Sequence, residues 1–180
     1  MESNIHMLPE PAVFVMLQSK KGGLTEEEAA ERAEEVGKNE LSKKALKGLG
    51  DAYDQEAEAT VVRGGEEKTV PRVDLVPGDV VIIRVGDTVP CDMRLIHVDG
   101  LKVTKTYYTG EAEPVVCTAE MTTEHELSEW FMASNMAMLA NVVVDGMGTG
   151  VVFATGHSTL IHPIAENLMP AGGKKKCSVM

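Results

Sequence analysis

Residues 73–85 read VDLVPGDVVIIRV, and this segment indicates the class of fold. Four apolar β-branched residues, Val80 to Ile83, follow one another without interruption, which is typical of a strand that is buried on both faces. Gly86-Asp87 then marks a turn. The segment therefore predicts a buried strand over residues 79–85.

Short β runs of the same kind continue on both sides of this strand. Gly64-Gly65 separates two of them and predicts a hairpin, while Asp99-Gly100 and Asp145-Gly146 are expected to end others. The predicted runs cover residues 60–63, 68–70, 93–98, 101–105, 141–144 and 151–155. Many short strands with little helix between them predict a mainly β body, either a β-sandwich or a distorted jelly roll.

Two helices are predicted ahead of the β runs, so the expected class is α+β. The first covers residues 11–17, and the second starts at Thr25, which can form a capping box with Glu28, and ends at Gly37. Residues 42–59 are polar and are expected to be a linker with a short helix over residues 53–59. The predicted organisation is a helical segment and linker (1–59), a β-rich domain (60–169) and a flexible tail (170–180).

Composition excludes several classes of function. The 180 residues carry 28 acidic and 17 basic side chains, a formal charge of −11. Phosphate backbones repel such a chain, so nucleic acid is not an expected partner. The sequence also lacks the glycine-rich phosphate loop that would predict a nucleotide site. The three cysteines lack metal-ligand spacing, as do His97, His125, His157 and His162, so no metal is expected. Cys91 and Cys117 are predicted to be buried thiols.

Several motifs, taken in order, resemble the actuator domain of P-type cation-transporting ATPases. They are VDLVPGDVV (73–81), GDTVPCDMRLI (86–96), TGEAEPV (109–115) and GVVFATG (150–156). The earlier GLTEEEA (23–29) and GKNEL (37–41) resemble the cytosolic segment that precedes the first membrane helix of these pumps. The resemblance covers most of residues 23–168 and implies an actuator-like jelly roll.

Thr109, Gly110 and Glu111 form the candidate catalytic loop. A glutamate directly after a glycine turn is expected at an exposed tip, where it can orient a water; an isolated motif of this kind would equally fit a solvated surface hairpin. The resemblance implies that Glu111 positions the water that hydrolyses an aspartyl phosphate on a separate domain. The loop departs from the family pattern at Ala112, where a serine is usual, and at residues 104–108, where acidic and small residues are usual.

The sequence also differs from a complete pump. In the family, two membrane helices lie between the Asn-Glu-Leu segment and the β body, whereas residues 42–59 make this connection here. The 180 residues contain no Asp-Lys-Thr-Gly-Thr phosphorylation motif. We therefore expect that they neither form an aspartyl phosphate nor move an ion by themselves.

The last seven residues, KKKCSVM, form a second functional motif. Cys177 with a terminal methionine three residues later is a farnesylation signal, and Lys174, Lys175 and Lys176 supply the usual basic second anchor. Taking these three lysines from the total of −11 leaves −14 on residues 1–173, so only the tail is expected to be drawn to an anionic membrane. A covalent farnesyl lipid is the one expected addition, with no other cofactor.

Three functions are consistent with these features. The first is a non-catalytic, lipid-tethered module that binds or regulates a P-type ATPase or another membrane protein. The second is hydrolysis of a partner's aspartyl phosphate through Glu111, and the third is a prenylated scaffold unrelated to pumps. All three predict a peripheral, lipid-anchored protein at the cytosolic face of a membrane.

Overall fold

The computed structural model describes residues 4–123 and 127–168 of the chain. The predicted tail motif, with Cys177 and its three lysines, lies outside the described residues. An antiparallel sheet forms the centre of the described part, and short helices pack on it. This arrangement confirms the predicted mainly β, α+β class.

The α-helices are short. They are α1 (Glu10–Met16), α2 (Glu26–Val36), α3 (Lys43–Leu49), α4 (Thr106–Thr109) and α5 (Ile161–Asn167). The predicted capping box is confirmed at α2, where Thr25 Oγ1 accepts a hydrogen bond from the Glu28 N–H at 3.1 Å and Glu28 Oε2 accepts one from the Thr25 N–H at 2.7 Å. The described ranges contain no helix with the length and apolar character that a membrane crossing requires.

Within residues 4–123 and 127–168, seven strands form one antiparallel sheet in the order β2-β1-β3-β7-β4-β5, with β6 also paired to β4. The hairpin and the buried strand that the sequence predicts are confirmed as β1–β2 and β3. The strands are β1 (Glu58–Arg63), β2 (Glu66–Pro71), β3 (Val80–Arg84), β4 (Asp92–Thr104), β5 (Pro114–Val116), β6 (Met136–Ala137) and β7 (Val142–Ala154).

The predicted strand ends at Asp99-Gly100 and Asp145-Gly146 are wrong. β4 runs through Gly100, and β7 runs through Gly146. Asp99 and Gly100 both lie opposite Met147, so the extra residue is accommodated in a bulge while the ladder continues. Two long bent strands therefore replace four predicted short ones.

The predicted linker over residues 42–59 is also wrong. Leu41, Ala45 and Leu49 are spaced four apart and pack against α5, so this segment folds as the helix α3. A Cβ on Gly48 would lie 2.0 Å from the Ala165 carbonyl oxygen, which shows how closely the two helices approach. The helix predicted over residues 53–59 is absent, because Tyr53 is extended and buried and β1 begins at Glu58.

Apolar side chains cover both faces of the sheet. Val81 and Ile83 of β3 lie in the main core with Leu95 and Leu101, whereas Val80 belongs to a second core with Val13 of α1. Successive strand residues point to opposite faces, which explains why neighbours in β3 belong to different cores. Cys91 and Cys117 are free buried thiols of the main core, as predicted.

Asn39 joins the helical opening to the β body. The Asn39 side chain is buried, with 1% exposed. Its Nδ2 donates hydrogen bonds to the carbonyls of Arg72 (2.9 Å) and Pro90 (3.0 Å). Its Oδ1 accepts a hydrogen bond from the Gly156 N–H (2.8 Å). The Asn39 N–H also donates to the Val73 carbonyl at 2.9 Å. The N-terminal segment therefore packs on the sheet.

Candidate functional site

Gly110 closes the turn that carries the candidate carboxylate. It directly follows the one-turn helix α4, which ends at Thr109, and its N–H donates to the Thr106 carbonyl at 2.8 Å. Gly110 adopts a left-handed conformation (φ = 75°), which a side chain at this position would strain. A Cβ here would meet no atom within 4 Å, so the glycine is needed for its backbone conformation and not for space.

Thr109 fixes the two ends of the turn relative to each other. Its hydroxyl donates to the Lys105 carbonyl at 3.2 Å and accepts a hydrogen bond from the Glu111 N–H at 3.1 Å. The Glu111 side chain, just beyond, is exposed to solvent. The structure thus brings Thr109, Gly110 and Glu111 together at the surface, in a geometry that allows the carboxylate to orient a water; its catalytic role stays a prediction.

Two tyrosines, at positions that depart from the family pattern, anchor this turn. Tyr107 Oη donates to the Leu49 carbonyl of α3 at 3.2 Å, and Tyr108 Oη donates to the Leu139 carbonyl at 2.8 Å. Burial raises the pKa of Tyr108 well above its usual range, which keeps its hydroxyl protonated as a donor. Neither contact could be predicted from the sequence, because both acceptors are distant backbone carbonyls.

Asp92 supports the same anchoring segment from inside. Its Oδ1 accepts a hydrogen bond from the Leu139 N–H at 2.9 Å, and its Oδ2 accepts one from the Leu160 N–H at 2.8 Å. Burial raises the pKa of this carboxyl to about 6. Asp92 therefore connects the segment that holds Tyr108 to the start of α5.

Lys105, which precedes the turn, is a buried lysine that sequence analysis missed. Its side chain is 1% exposed, and Nζ donates to the carbonyls of Phe131 (3.1 Å), Met132 (3.3 Å) and Ala133 (3.0 Å). All three ammonium protons are thus used, and within the described ranges no carboxylate pairs with it. Burial lowers the pKa of Lys105 to about 8. Lys105 therefore ties the base of the turn to residues 131–133.

A cleft of about 340 Å³ lies beside the turn. One wall comes from the turn itself and the other from the segment that Lys105 holds. The cleft is lined by Tyr108, Thr109, Glu111, Glu129, Phe131 and Met132. Sequence analysis could not place Glu129 or Phe131 here, since only the fold brings them to the loop.

The later departure from the family pattern, His162-Pro163, belongs to a different cluster. The His162 and His157 rings contact each other, with centroids 4.2 Å apart and planes inclined by 36°. His162 Nε2 lies 3.4 Å from Glu166 Oε1, which accepts a hydrogen bond from Ser42 Oγ at 2.7 Å. Burial and the neighbouring His157 lower the pKa of His162. This cluster joins α5 to the start of α3, and in the part of the chain that the structure describes no group of three or more His, Cys, Asp or Glu side chains is arranged to hold a metal ion.

Comparison with known families agrees with this geometry. The family model of the P-type ATPase actuator domain matches residues 54–169, well over half of the chain. The chain belongs to the P-type ATPase actuator domain family. The model of the cation transporter/ATPase N-terminus matches residues 5–51, so only residues 52 and 53 separate the two matches. The resemblance stated from the sequence is therefore confirmed at the level of the family.

Several curated pumps are similar to this actuator-family chain. The potassium-transporting ATPase alpha chain 2 of Cavia porcellus is 39% identical over 118 residues, which are 66% of this chain and 11% of the pump. The cation-transporting ATPase pma1 of Synechocystis sp. is 42% identical over 112 residues, 62% of this chain and 12% of the relative. The chain thus spans about a tenth of the length of the curated relatives it matches.

A solved zinc-transporting PIB-type ATPase in the E2.Pi state is also similar. It shares 23% sequence identity with the chain at a TM-score of 0.46, over 69% of this chain and 17% of that one.

The buried Lys105 predicts a specific pH dependence. The pKa of Lys105 in the folded protein, about 8, lies below its ordinary value of 10.5. Between these two pH values the unfolded chain therefore holds the Lys105 proton more tightly than the folded chain does. The contribution of Lys105 to the free energy of unfolding consequently rises with pH. We expect the free energy of unfolding of the wild type, minus that of Lys105→Met, to increase by about 2 kcal/mol between pH 8 and pH 10. Urea unfolding of both proteins at each pH measures this difference.

The matched control is Lys102→Met, because Lys102 is exposed and pairs with Asp145. The difference between the wild type and this variant should stay nearly constant over the same pH range. An equally flat difference for Lys105→Met would show that Lys105 is not buried as a charged group.

Proposed function

We propose that the chain is a non-catalytic actuator module that docks on a P-type ATPase, or on another membrane protein, at the cytosolic face of a membrane. The observation that supports this is the connection through Asn39, which packs the N-terminal segment on the β body. The matches to the N-terminal and actuator families are separated by only two residues, and the two parts still pack together. The short connection thus leaves a folded actuator body with its loop exposed.

Docking is the activity that such a body retains. In the pumps that the chain resembles, the actuator works by moving against neighbouring domains, and the Thr-Gly-Glu loop is part of the surface that meets them. Glu111 is exposed here, on a turn that Tyr107 and Tyr108 hold in place. A separate copy of this surface can compete for the same contact on a pump and so regulate it.

A lipid tether fits this proposal. A single lipid chain on Cys177 gives marginal, reversible membrane binding, and three adjacent lysines add about 1 kcal/mol each near anionic lipid. The remaining charge of −14 keeps the folded body off such a surface. Because tethering raises the effective concentration of the module, weak contacts with a membrane-embedded partner are sufficient.

Co-isolation from cells tests the proposal. The full chain carries an N-terminal affinity tag, membranes are solubilised in detergent, and the captured proteins are identified by mass spectrometry. We expect the wild type to sediment with membranes and to bring down a P-type ATPase, whereas Cys177→Ser leaves the membrane fraction and recovers much less of the pump. Mass spectrometry of the C-terminal peptide measures the lipid directly.

Ser178→Ala is the matched control, since it keeps Cys177 and the terminal methionine and should behave as the wild type. If Cys177→Ser stays in the membrane fraction, the tether is wrong. If the wild type is farnesylated and membrane-bound but recovers no pump or other membrane protein, docking is wrong and a pump-independent scaffold takes its place.

The exposure of Glu111 favours one second candidate, hydrolysis of a partner's aspartyl phosphate in trans. This reaction needs the carboxylate to hold a water within about 3 Å of its target, which in turn requires a well-defined docked geometry. The hydroxyl that usually follows the glutamate in the family is lacking at Ala112. We therefore place this activity second.

Purified protein added to a phosphorylated P-type ATPase separates the two candidates. We expect the rate of dephosphorylation to be the same with the wild type, with Glu111→Gln and with the control Glu113→Gln, an exposed glutamate two residues away. Faster dephosphorylation with the wild type and Glu113→Gln, but not with Glu111→Gln, would overturn the non-catalytic proposal and establish Glu111 as a catalytic residue.

A further inference from the structure

The cleft beside the Thr109–Glu111 turn places two exposed carboxylates next to an aromatic surface. We propose that this cleft receives the guanidinium group of an arginine side chain on a docking protein. The proposal rests on the proposed function only in that a protein meets this face of the module.

The carboxylates supply the charge. Glu111 and Glu129 line the cleft from its two walls, and among the described residues neither forms an ion pair. Other exposed glutamates do so, as Glu28 does with Lys20 and Glu67 does with Arg84. An incoming cation therefore has no resident cation to displace at this position.

The aromatic residues supply a surface for a flat group. The rings of Tyr108 and Phe131 have centroids 6.0 Å apart and planes inclined by 38°, and Trp130 packs edge-on against Phe131 at 6.1 Å. Phe131 is half-buried. A planar guanidinium stacks on such rings while its N–H groups donate to carboxylates, and it is more weakly hydrated than an ammonium group.

The two walls are held in place before any partner arrives. Lys105 joins the base of the turn to the carbonyls of residues 131–133, and its three protons point to those carbonyls. Tyr108 is fixed through its hydroxyl to Leu139. The aromatic part of the cleft therefore requires little ordering on binding, which lowers the entropic cost.

The dimensions suit a single side chain. The cleft volume of about 340 Å³ is at the low end of the range for small-molecule sites, roughly 300–1,000 Å³. Anionic ligands are repelled by the two carboxylates and by the net charge of the body. An arginine from a partner protein fits the charge, the aromatic surface and the volume together.

Titration with Nα-acetyl-L-arginine amide, followed by amide ¹H–¹⁵N spectra of the full chain, tests the inference. We expect saturable shifts at the amides of residues 109–111 and 129–132. The neutral isostere Nα-acetyl-L-citrulline amide should produce none at the same concentrations, and Nα-acetyl-L-lysine amide should bind more weakly. Glu129→Gln should raise the dissociation constant for the arginine probe about three- to fivefold.

Glu56→Gln is the matched control, because it removes one exposed negative charge outside the cleft and should leave the dissociation constant unchanged. Equal binding of citrulline or lysine, an equal effect of Glu56→Gln, or the absence of saturable shifts would overturn the arginine site. None of these results bears on co-isolation with a pump, so the two proposals fail separately.

Discussion

The buried side-chain amide of Asn39 is the connection on which the rest of the structure depends. It bonds to the backbone at Arg72, Pro90 and Gly156, which lie 33, 51 and 117 residues further along the chain. Because the site is closed to water, a lost partner would leave a buried polar group unpaired at a cost of about 1–3 kcal/mol. Alongside the apolar packing of α1 and α3, this one side chain links the N-terminal segment to the backbone near both ends of the β body.

Local rules predicted the parts of the fold that local interactions determine. The capping box at Thr25 and the Gly64-Gly65 hairpin depend on neighbouring residues, and both are confirmed. Helix α3 was missed because a helix with little apolar surface forms by packing on α5. The uninterrupted strands β4 and β7 were missed because an Asp-Gly pair marks a bulge as readily as a strand end. Tertiary contacts decided these cases.

The candidate site shows the same division. The resemblance to a family motif predicted Thr109, Gly110 and Glu111 as the candidate loop, and their side-by-side arrangement follows from their adjacency in the sequence. The second wall of the cleft, with Glu129 and Phe131, could not be predicted, because Lys105 holds it through backbone carbonyls that carry no sequence signal. Residues that differ from the family pattern, such as Tyr107 and Tyr108, proved to anchor the turn, which is how the loop keeps its position without the usual residues.

Native-state hydrogen exchange tests most directly whether Asn39 makes the N-terminal segment and the β body one unit. In the wild type, the amides of α2 and β3 should exchange with similar opening free energies; in Asn39→Ala, α2 should exchange at least about tenfold faster relative to β3. The exposed Asn167→Ala variant should leave this ratio unchanged. Independent exchange of α2 in the wild type, or an unchanged ratio in Asn39→Ala, would contradict the account.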